Sequence, residues 1–235
     1  MSASPVKILA FGPHPDDIEF GCAPVLIREV DKGNQVRIVV LTKGEASTSG
    51  TPEERLEEAR EAARLMGTEI EFLDLGGDCH LRQNPETAFA LAREIRRYRP
   101  QIVLTPHEEP NQHPDHVAAS HMVRDAARLA RFGGLAELRD LPSHAIGHLY
   151  FYSITQTFLP IPDIVIDVSG IESRWEAAIA CHKSQMKTKS YMKLVQTRAH
   201  ALGATIGVTA AVGLWANDPI RLGSLSDLTL SSRNY

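Results

Sequence analysis

The chain has 235 residues, of which 43% are hydrophobic and 23% are charged, and its formal net charge is −4. This length and composition predict a single globular domain over residues 1–235 that buries one extensive core. The 25 basic residues are spread along the chain, which argues against a nucleic-acid partner and an anionic-membrane surface and favours a small-molecule substrate.

The three cysteines, Cys22, Cys79 and Cys181, are isolated and show no CxxC spacing. This usage argues against a disulfide framework and against a thiolate zinc site, and it fits a reducing cytoplasm. The amino-terminal residues lack the pattern of a secretion signal, and no apolar run approaches the ~20 residues of a membrane span. We therefore expect a soluble, cytoplasmic protein with no membrane partner.

The first half of the chain alternates predicted strands with predicted helices. Apolar residues over 6–11 predict a buried strand, and apolar residues at helical spacing predict a helix over 18–31. Four repeats of this alternation indicate a parallel sheet with right-handed crossovers. The fold class is therefore α/β, a Rossmann-like and mostly parallel sheet with helices on both faces. The further predicted strands are 35–41, 70–75 and 102–105, and the further predicted helices are 52–66, 85–98 and 117–129.

The pattern weakens beyond residue 133. Strands are predicted over 148–153 and 164–168 and a helix over 172–182, whereas 199–214 is small and apolar without a clear period. Earlier in the chain, a polar loop over 42–52, rich in Gly, Ser and Thr, follows the second strand and is a candidate lid.

Two turns of similar sequence follow the first and fourth predicted strands. Residues 14–17 read His-Pro-Asp-Asp and residues 113–116 read His-Pro-Asp-His, and a predicted helix begins after each. Parallel strands place both turns at the same carboxyl edge of the sheet, which is where open α/β sheets bind ligands. We therefore expect the two turns to converge on one site.

The residues of these turns are of the kind that binds a catalytic metal. A catalytic zinc takes three histidine or carboxylate ligands and keeps its fourth position for water, and His14, Asp17 and His116 can supply them. Asp16 would then lie beside the bound water as a general base. Taken singly, Asp16 or Asp17 has a simpler interpretation as a helix N-cap, but two such turns in one sheet favour the metal site.

These motifs resemble those of the PIG-L or LmbE-like family of zinc-dependent N-deacetylases, which remove acetyl from N-acetylglucosamine groups on glycolipids and thiol-cofactor precursors. In length and layout the chain is similar to the compact bacterial branch that includes the bacillithiol-pathway deacetylases, which suggests a homo-oligomer such as a hexamer. The resemblance extends to Thr42-Lys43-Gly44-Glu45, to Arg55 with Glu58 and Ala59, and to His182 with Ser184 and Gln185.

The resemblance likewise implies that His14, Asp17 and His116 bind zinc and that Asp16 is the general base, with Fe²⁺ as an alternative metal. It further implies that His113 stabilises the oxyanion or protonates the leaving amine, and that Asp115 orients His113. Bound zinc lowers the pKa of water from ~15.7 to about 7, so a hydroxide-like nucleophile is available at neutral pH.

Three features bear on the substrate. Asn111, a candidate substrate-binding residue, stands where relatives often carry Asp or Tyr, and residues 207–212 lack the Tyr and Glu that the family often has there. Arg55 either pairs with Glu58 at i+3, contributing about 0.2–0.5 kcal/mol, or leans over the metal and anchors a carboxylate or phosphate of the substrate. The departures at Asn111 and over 207–212 weaken the expectation of the usual substrate of the family.

The leading functional hypothesis is hydrolysis of an N-acetyl group on an amino sugar or a similar small amine. An alternative within the same chemistry is an amidohydrolase that acts on N-acyl amino acids or cysteine conjugates. A phosphoacceptor module would use Asp74 or Asp78 but gives no role to the three histidines, which favour zinc over magnesium. A purely structural homologue is disfavoured by the complete set of ligands and base.

Overall fold

The computed structural model describes residues 4–110, 113–154, 160–187, 191–227 and 231. Within these residues the strands are β1 (Lys7–Gly12), β2 (Gln35–Val40), β3 (Glu69–Phe72), β4 (Ile102–Pro106), β5 (His148–Tyr152), β6 (Ile164–Asp167) and β7 (Ala211–Ala216). The helices are α1 (Asp17–Gly21), α2 (Ala23–Asp31), α3 (Pro52–Met66), α4 (Pro85–Tyr98), α5 (Pro114–Ala130), α6 (Glu172–Ala180) and α7 (Tyr191–Ile206).

The strands form one sheet in the order β3-β2-β1-β4-β5-β7-β6. Neighbours among β1 to β5 pair in parallel, whereas β7 runs antiparallel to both β5 and β6. The predicted α/β class with a mostly parallel sheet is confirmed. The strand order reverses between β1 and β4, and the crevice at such a switch point is the usual ligand site of an open α/β sheet.

Helices cover both faces of the sheet because its central strands are apolar on both sides. In β1, Ile8 and Ala10 belong to a core cluster that includes side chains of α2, α3, α6 and α7. The alternate residues Leu9 and Phe11 belong to a second cluster, shared with α4 and α5. No helix in the described ranges is long and apolar enough to cross a membrane.

The predicted helix over 18–31 is two helices rather than one. Cys22 separates α1 from α2 with φ −139° and ψ 4°, outside the helical region. Gly21 packs against the Tyr152 ring so closely that a Cβ would lie 2.4 Å from Cδ2, and Pro24, in the first turn of α2, has no N–H to continue a helix. The break limits α1 to the five residues Asp17–Gly21.

The carboxyl-terminal region is also more regular than its sequence pattern indicates. The stretch 199–214 comprises the end of α7 and most of β7. The antiparallel pairing of β7 with β5 and β6 joins residues that are distant in the chain, which local periodicity does not reveal.

Candidate metal centre and active site

Both His-Pro-Asp turns lie at the switch point of the sheet, as the sequence predicts. The first follows β1, where the Asp16 N–H donates to the carbonyl of His14 at 2.9 Å before α1 begins. The second follows β4, and His113 is the N-cap of α5. The Trp175 indole, on α6, donates to the carbonyl of Glu19 at 2.8 Å and so holds α1 in place behind the site.

The three predicted ligands lie together and are almost fully buried. Asp17 places one carboxylate oxygen 2.9 Å from Nδ1 of His14 and the other 3.1 Å from Nε2 of His116. Burial alone would raise the pKa of Asp17, but the adjacent His116 and His14 hold the pKa well below its usual range. Two imidazoles and one carboxylate are a donor set that catalytic zinc takes. The 2.9 and 3.1 Å separations are those of hydrogen bonds made by the two different oxygens of Asp17, and are shorter than the about 3.3–3.6 Å between ligand atoms of a tetrahedral zinc.

Two overlapping groups of side chains have donor atoms that all lie within 4.8 Å of one another and could hold a metal ion. One consists of His14, His113 and His116, and the other of His14, His113, Asp78 and Asp115. The predicted trio shares His14 and His116 with the first group, and its third member, Asp17, belongs to neither group. Nδ1 of His14 faces Asp17 at 2.9 Å, while its Nε2 faces Asp78 and Asp115 at 3.1 and 3.3 Å.

The candidate base Asp16 is paired with Arg55. An Oδ1–Nη2 distance of 3.3 Å joins them, and their side chains are 13% and 5% exposed. Burial raises the pKa of Asp16 to about 6, although the Arg55 guanidinium opposes this shift. One interpretation of the sequence pairs Arg55 with Glu58, but in the structure Arg55 pairs with Asp16. Glu58 instead accepts hydrogen bonds from the backbone N–H and the hydroxyl of Ser184.

Gly44 makes room for the Arg55 guanidinium. Arg55 Nη1 donates to the carbonyl of Gly44 at 3.0 Å. A Cβ at this position would lie 2.0 Å from the same nitrogen, and the φ of Gly44 is +70°. Glycine is needed here both for the left-handed backbone and for the close approach of the arginine.

The structure adds Asp78, which the sequence indicated only as support for a phosphoacceptor. Asp78 is 6% exposed and lies in the loop after β3, with Oδ1 3.1 Å from Nε2 of His14 and 3.3 Å from Nε2 of His113. Its position at the carboxyl edge of the third strand was the available signal, but the Gly76-Gly77-Asp78 sequence carries no spacing typical of a metal motif.

His113 and Asp115 contact each other through the backbone rather than through the Asp115 carboxylate. Nδ1 of His113 accepts a hydrogen bond from the Asp115 N–H at 3.3 Å. Oδ2 of Asp115 instead faces His14 and accepts the Cys79 N–H at 2.8 Å. The predicted orientation of His113 by Asp115 stays a prediction, and the contact that links them is the one from the backbone N–H of Asp115 at the N-cap of α5.

A cavity of about 310 Å³ is lined by most of these side chains, namely His14, Asp16, Asp17, Arg55, Asp78, His113 and His116. Its other wall is the predicted lid, residues 42–52, which contacts the segment after α6: Gln185 donates from Nε2 to the Ser49 carbonyl at 2.7 Å and accepts from the Ser47 hydroxyl at 3.2 Å. Asn111 lies outside the described residues, so its predicted substrate contact stays a prediction.

His182 lies behind the site and is fully buried, with Nε2 3.4 Å from a carboxylate oxygen of Glu19. Burial alone would lower the pKa of His182, but the carboxylates of Glu19, Asp16 and Glu58 together raise the pKa above its usual value. His182 does not line the cavity.

The fold and site together define an α/β protein with a candidate metal centre at the carboxyl edge of its sheet. Sequence comparison identifies the family: the PIG-L family, described as GlcNAc-PI de-N-acetylase, matches residues 9–127, which are 119 of the 235 residues. The chain belongs to this family, and the resemblance inferred from the two turns is confirmed.

Individual relatives include proteins with two different reactions. Diacetylchitobiose deacetylase of Thermococcus kodakarensis is 30% identical over 194 residues, covering 76% of this chain and 70% of the relative. The 4-oxalmesaconate hydratase of Pseudomonas putida is 23% identical over 224 residues, covering 90% of this chain and 86% of the relative. Among solved structures, a conserved protein from Thermus thermophilus is similar with a TM-score of 0.83 and 32% identity, covering 92% of this chain and 97% of that one.

Proposed function

We propose that this protein is a metal-dependent N-deacetylase that removes the acetyl group from an N-acetylglucosamine conjugate or a similar small molecule. The observation that carries the proposal is that a buried carboxylate, Asp16, faces the same cavity as the cluster of histidines and carboxylates. Membership of the PIG-L family supports the reaction class. The relative named diacetylchitobiose deacetylase supports an acetylated amino sugar as the substrate.

The proposed metal is zinc, with Fe²⁺ as the alternative, and its proposed ligands are His14, Asp17 and His116. Two imidazoles and one carboxylate are a common donor set of catalytic zinc. When bound, the metal would activate water and polarise the amide carbonyl. Asp17 supports this assignment because its two oxygens reach both histidines.

Asp16 is the proposed proton acceptor. With a pKa of about 6, its carboxyl group is mostly ionised at pH 7 and can take a proton from an attacking water molecule. Arg55 holds this carboxylate in place and compensates its charge inside the protein. Anchoring of the substrate by Arg55 is a separate proposal from its positioning of Asp16. Two nitrogens of Arg55 already contact Asp16 and Gly44.

His113 is proposed to stabilise the oxyanion through its Nε2–H; in the alternative role, as proton donor to the leaving amine, the ring would have to start in its charged, doubly protonated form. Because Nδ1 accepts the Asp115 N–H, the proton of the neutral ring belongs on Nε2. Nε2 lies beside Asp78 at the cavity. Asp115 acts in this proposal through its backbone N–H, while its carboxylate orients His14.

A hydratase is the second candidate, because the 4-oxalmesaconate hydratase spans more of this chain than the deacetylase relative does. Both reactions require an activated water molecule. The charge of the cavity favours the deacetylase: among the described residues that line it, Arg55 is the only lysine or arginine, and it is already paired with Asp16. The negative charges of a polycarboxylate such as 4-oxalmesaconate would be repelled by the carboxylates of Asp16, Asp17 and Asp78.

The test is a substrate panel with zinc-reconstituted protein: N-acetylglucosamine conjugates, N-acetyl amino acids, cysteine conjugates and 4-oxalmesaconate. Acetate release from the sugars that is lost in Asp16→Asn and His116→Ala but retained in His121→Ala supports the proposal. His121 is a matched control because it lies on the same helix as His116, away from the cavity. Turnover of 4-oxalmesaconate alone would replace the deacetylase by a hydratase.

We further propose that residues 1–235 form one domain and that the protein is a cytoplasmic homo-oligomer, such as a hexamer. Size-exclusion chromatography with light scattering tests the assembly, and a monomer would reject it.

A further inference from the structure

A buried histidine and a buried carboxylate lie behind the candidate metal centre, outside the cavity. Nε2 of His182 is 3.4 Å from a carboxylate oxygen of Glu19, and the two side chains are 0% and 3% exposed. Among the described residues, neither ring nitrogen of His182 makes a hydrogen bond. Buried polar groups nearly always have a partner, so the ion pair with Glu19 is the polar contact that holds this ring. Neither residue has a role in the mechanism proposed above.

Glu19 anchors α1 through two of its own groups. Its carbonyl accepts the Trp175 indole N–H from α6 at 2.8 Å, and its carboxylate contacts His182, two residues after the end of α6. Because α1 has only five residues, it does not hold its position without tertiary contacts. The position of α1 therefore depends on α6 and the residues that follow it.

The residues of the proposed chemistry are carried by α1. Asp17 is its first residue and Asp16 is its N-cap. The Phe20 N–H donates to the Asp16 carbonyl at 3.1 Å, so residues 16 and 20 belong to one hydrogen-bonded turn that also contains Glu19. A shift of Glu19 would therefore move Asp16 and Asp17 with it.

The pair has an electrostatic effect as well as a positional one. Burial opposes a charge on His182, but the carboxylates of Glu19, Asp16 and Glu58 raise its pKa and favour the protonated ring. Without His182, the carboxylate of Glu19 would be buried and uncompensated, which is strongly destabilising. The two effects can be separated by substitution, because neutralising Glu19 removes the charge but does not restore the contact.

We propose that His182 is a positioning residue of the active site: its contact with Glu19 holds α1, and so keeps Asp17 in place for the metal and Asp16 in place for the attacking water. The inference rests on the proposed function, because Asp17 is a proposed ligand and Asp16 is the proposed base. It adds to that function a residue that lies outside the cavity and touches neither substrate nor metal.

The first test compares the zinc affinity of His182→Leu and His182→Gln with that of the wild type, measured on the full-length protein by competition with a chelator. Leucine removes the ring and its N–H donors, whereas the amide of glutamine keeps an N–H for Glu19. We expect the zinc Kd to rise by about 10–100-fold in His182→Leu, the scale of losing a group that supports a metal ligand, and to stay close to the wild-type value in His182→Gln. Loss of a positive charge alone would tighten the binding of a divalent cation, so weaker binding indicates a displaced ligand.

His144→Leu is the matched control for this comparison. His144 is a half-buried histidine with Nε2 2.7 Å from the Pro100 carbonyl, away from the cavity. We expect this variant to lose stability without a change in its zinc Kd. A wild-type zinc Kd in His182→Leu, or an equal weakening in His144→Leu, would overturn the proposal.

The double variant His182→Leu/Glu19→Gln separates positioning from charge compensation, and it replaces His182→Leu if that variant does not fold. With both charges removed, we expect its Tm to exceed that of His182→Leu. Its zinc Kd should stay raised, because the contact that holds α1 is still absent. A double variant with the zinc affinity of the wild type would limit His182 to charge compensation and would overturn the positioning role.

Kinetics at saturating zinc extend the test to Asp16. We expect His182→Leu to lower kcat by at least about tenfold, because a displaced base accepts the proton less well, and to leave KM within about twofold, because His182 does not line the cavity. A raised KM with a wild-type kcat would contradict the positioning of Asp16. Wild-type protein that binds zinc but turns over no substrate would reject the proposed deacetylase, while the zinc affinities of the variants still decide whether His182 positions Asp17. Wild-type protein that binds no zinc would reject the metal centre and this inference with it.

Discussion

Arg55 and Asp16 form a buried ion pair at the edge of the cavity, with 3.3 Å between Nη2 and Oδ1. Removing one partner of such a pair leaves the other buried and uncompensated. We expect Arg55→Ala to lower kcat/KM by about a hundredfold, which is the low end of the contribution of a positioned acid or base. Arg60→Ala is the control, since Arg60 is an exposed residue on the same helix. Unchanged kcat and KM in Arg55→Ala would dismiss both its positioning and its anchoring roles.

Gly44 and Gly33 offer a matched pair of glycine substitutions. Both have positive φ, +70° and +84°, but a Cβ at Gly33 meets nothing within 4 Å, whereas one at Gly44 meets Arg55. Each alanine variant should lose about 1–2 kcal/mol of unfolding free energy from the left-handed backbone. Only Gly44→Ala should also lose activity, by at least about tenfold, because displacement of Arg55 misplaces the base. Thermal unfolding and initial rates check this, and equal activities would contradict the account.

Gln185 connects the loop over 42–52 to the segment after α6 by hydrogen bonds to Ser47 and Ser49. In Gln185→Ala this wall of the cavity loses its support, so we expect KM to rise by about tenfold while kcat stays within about twofold. Gln196→Ala is a suitable comparison, since the side chain of Gln196 makes its hydrogen bond to Glu176, away from the cavity. A fall in kcat without a change in KM would show that the loop serves the chemical step instead.

Removal of the metal should abolish activity, and readdition should restore it. Zinc present at about 100 times its Kd should raise the free energy of unfolding by about 2.7 kcal/mol, because it binds the folded state. Asp17→Asn should lose most of this gain, whereas Asp74→Asn should keep it, since Asp74 pairs with Lys43 on the exposed surface. The same zinc-induced shift of Tm in both variants would exclude Asp17 as a ligand.

Much of this site was predictable because its chemistry lies in two short motifs at strand ends. The turns at residues 14–17 and 113–116 follow clear apolar strands, and parallel pairing brings them together. Their spacing within each turn is local, so the sequence indicates it directly.

The remainder of the site depends on contacts between residues that no motif connects. Asp78 follows a short, half-buried strand, and its role arises only from its distances to His14 and His113. The pairing of Arg55 with Asp16 was likewise hidden, since a helical neighbour, Glu58, offered a simpler partner in the sequence. These long-range contacts are set by the packing of loops on the sheet.

Acetate release by the wild type and by Asp16→Asn, with bound zinc quantified in both proteins, decides whether Asp16 is the base. We expect Asp16→Asn to keep its zinc and its fold and to lose at least about a hundredfold in kcat, since the amide cannot accept the proton of the attacking water. Wild-type acetate release by Asp16→Asn at the same zinc content would show that Asp16 is not the base.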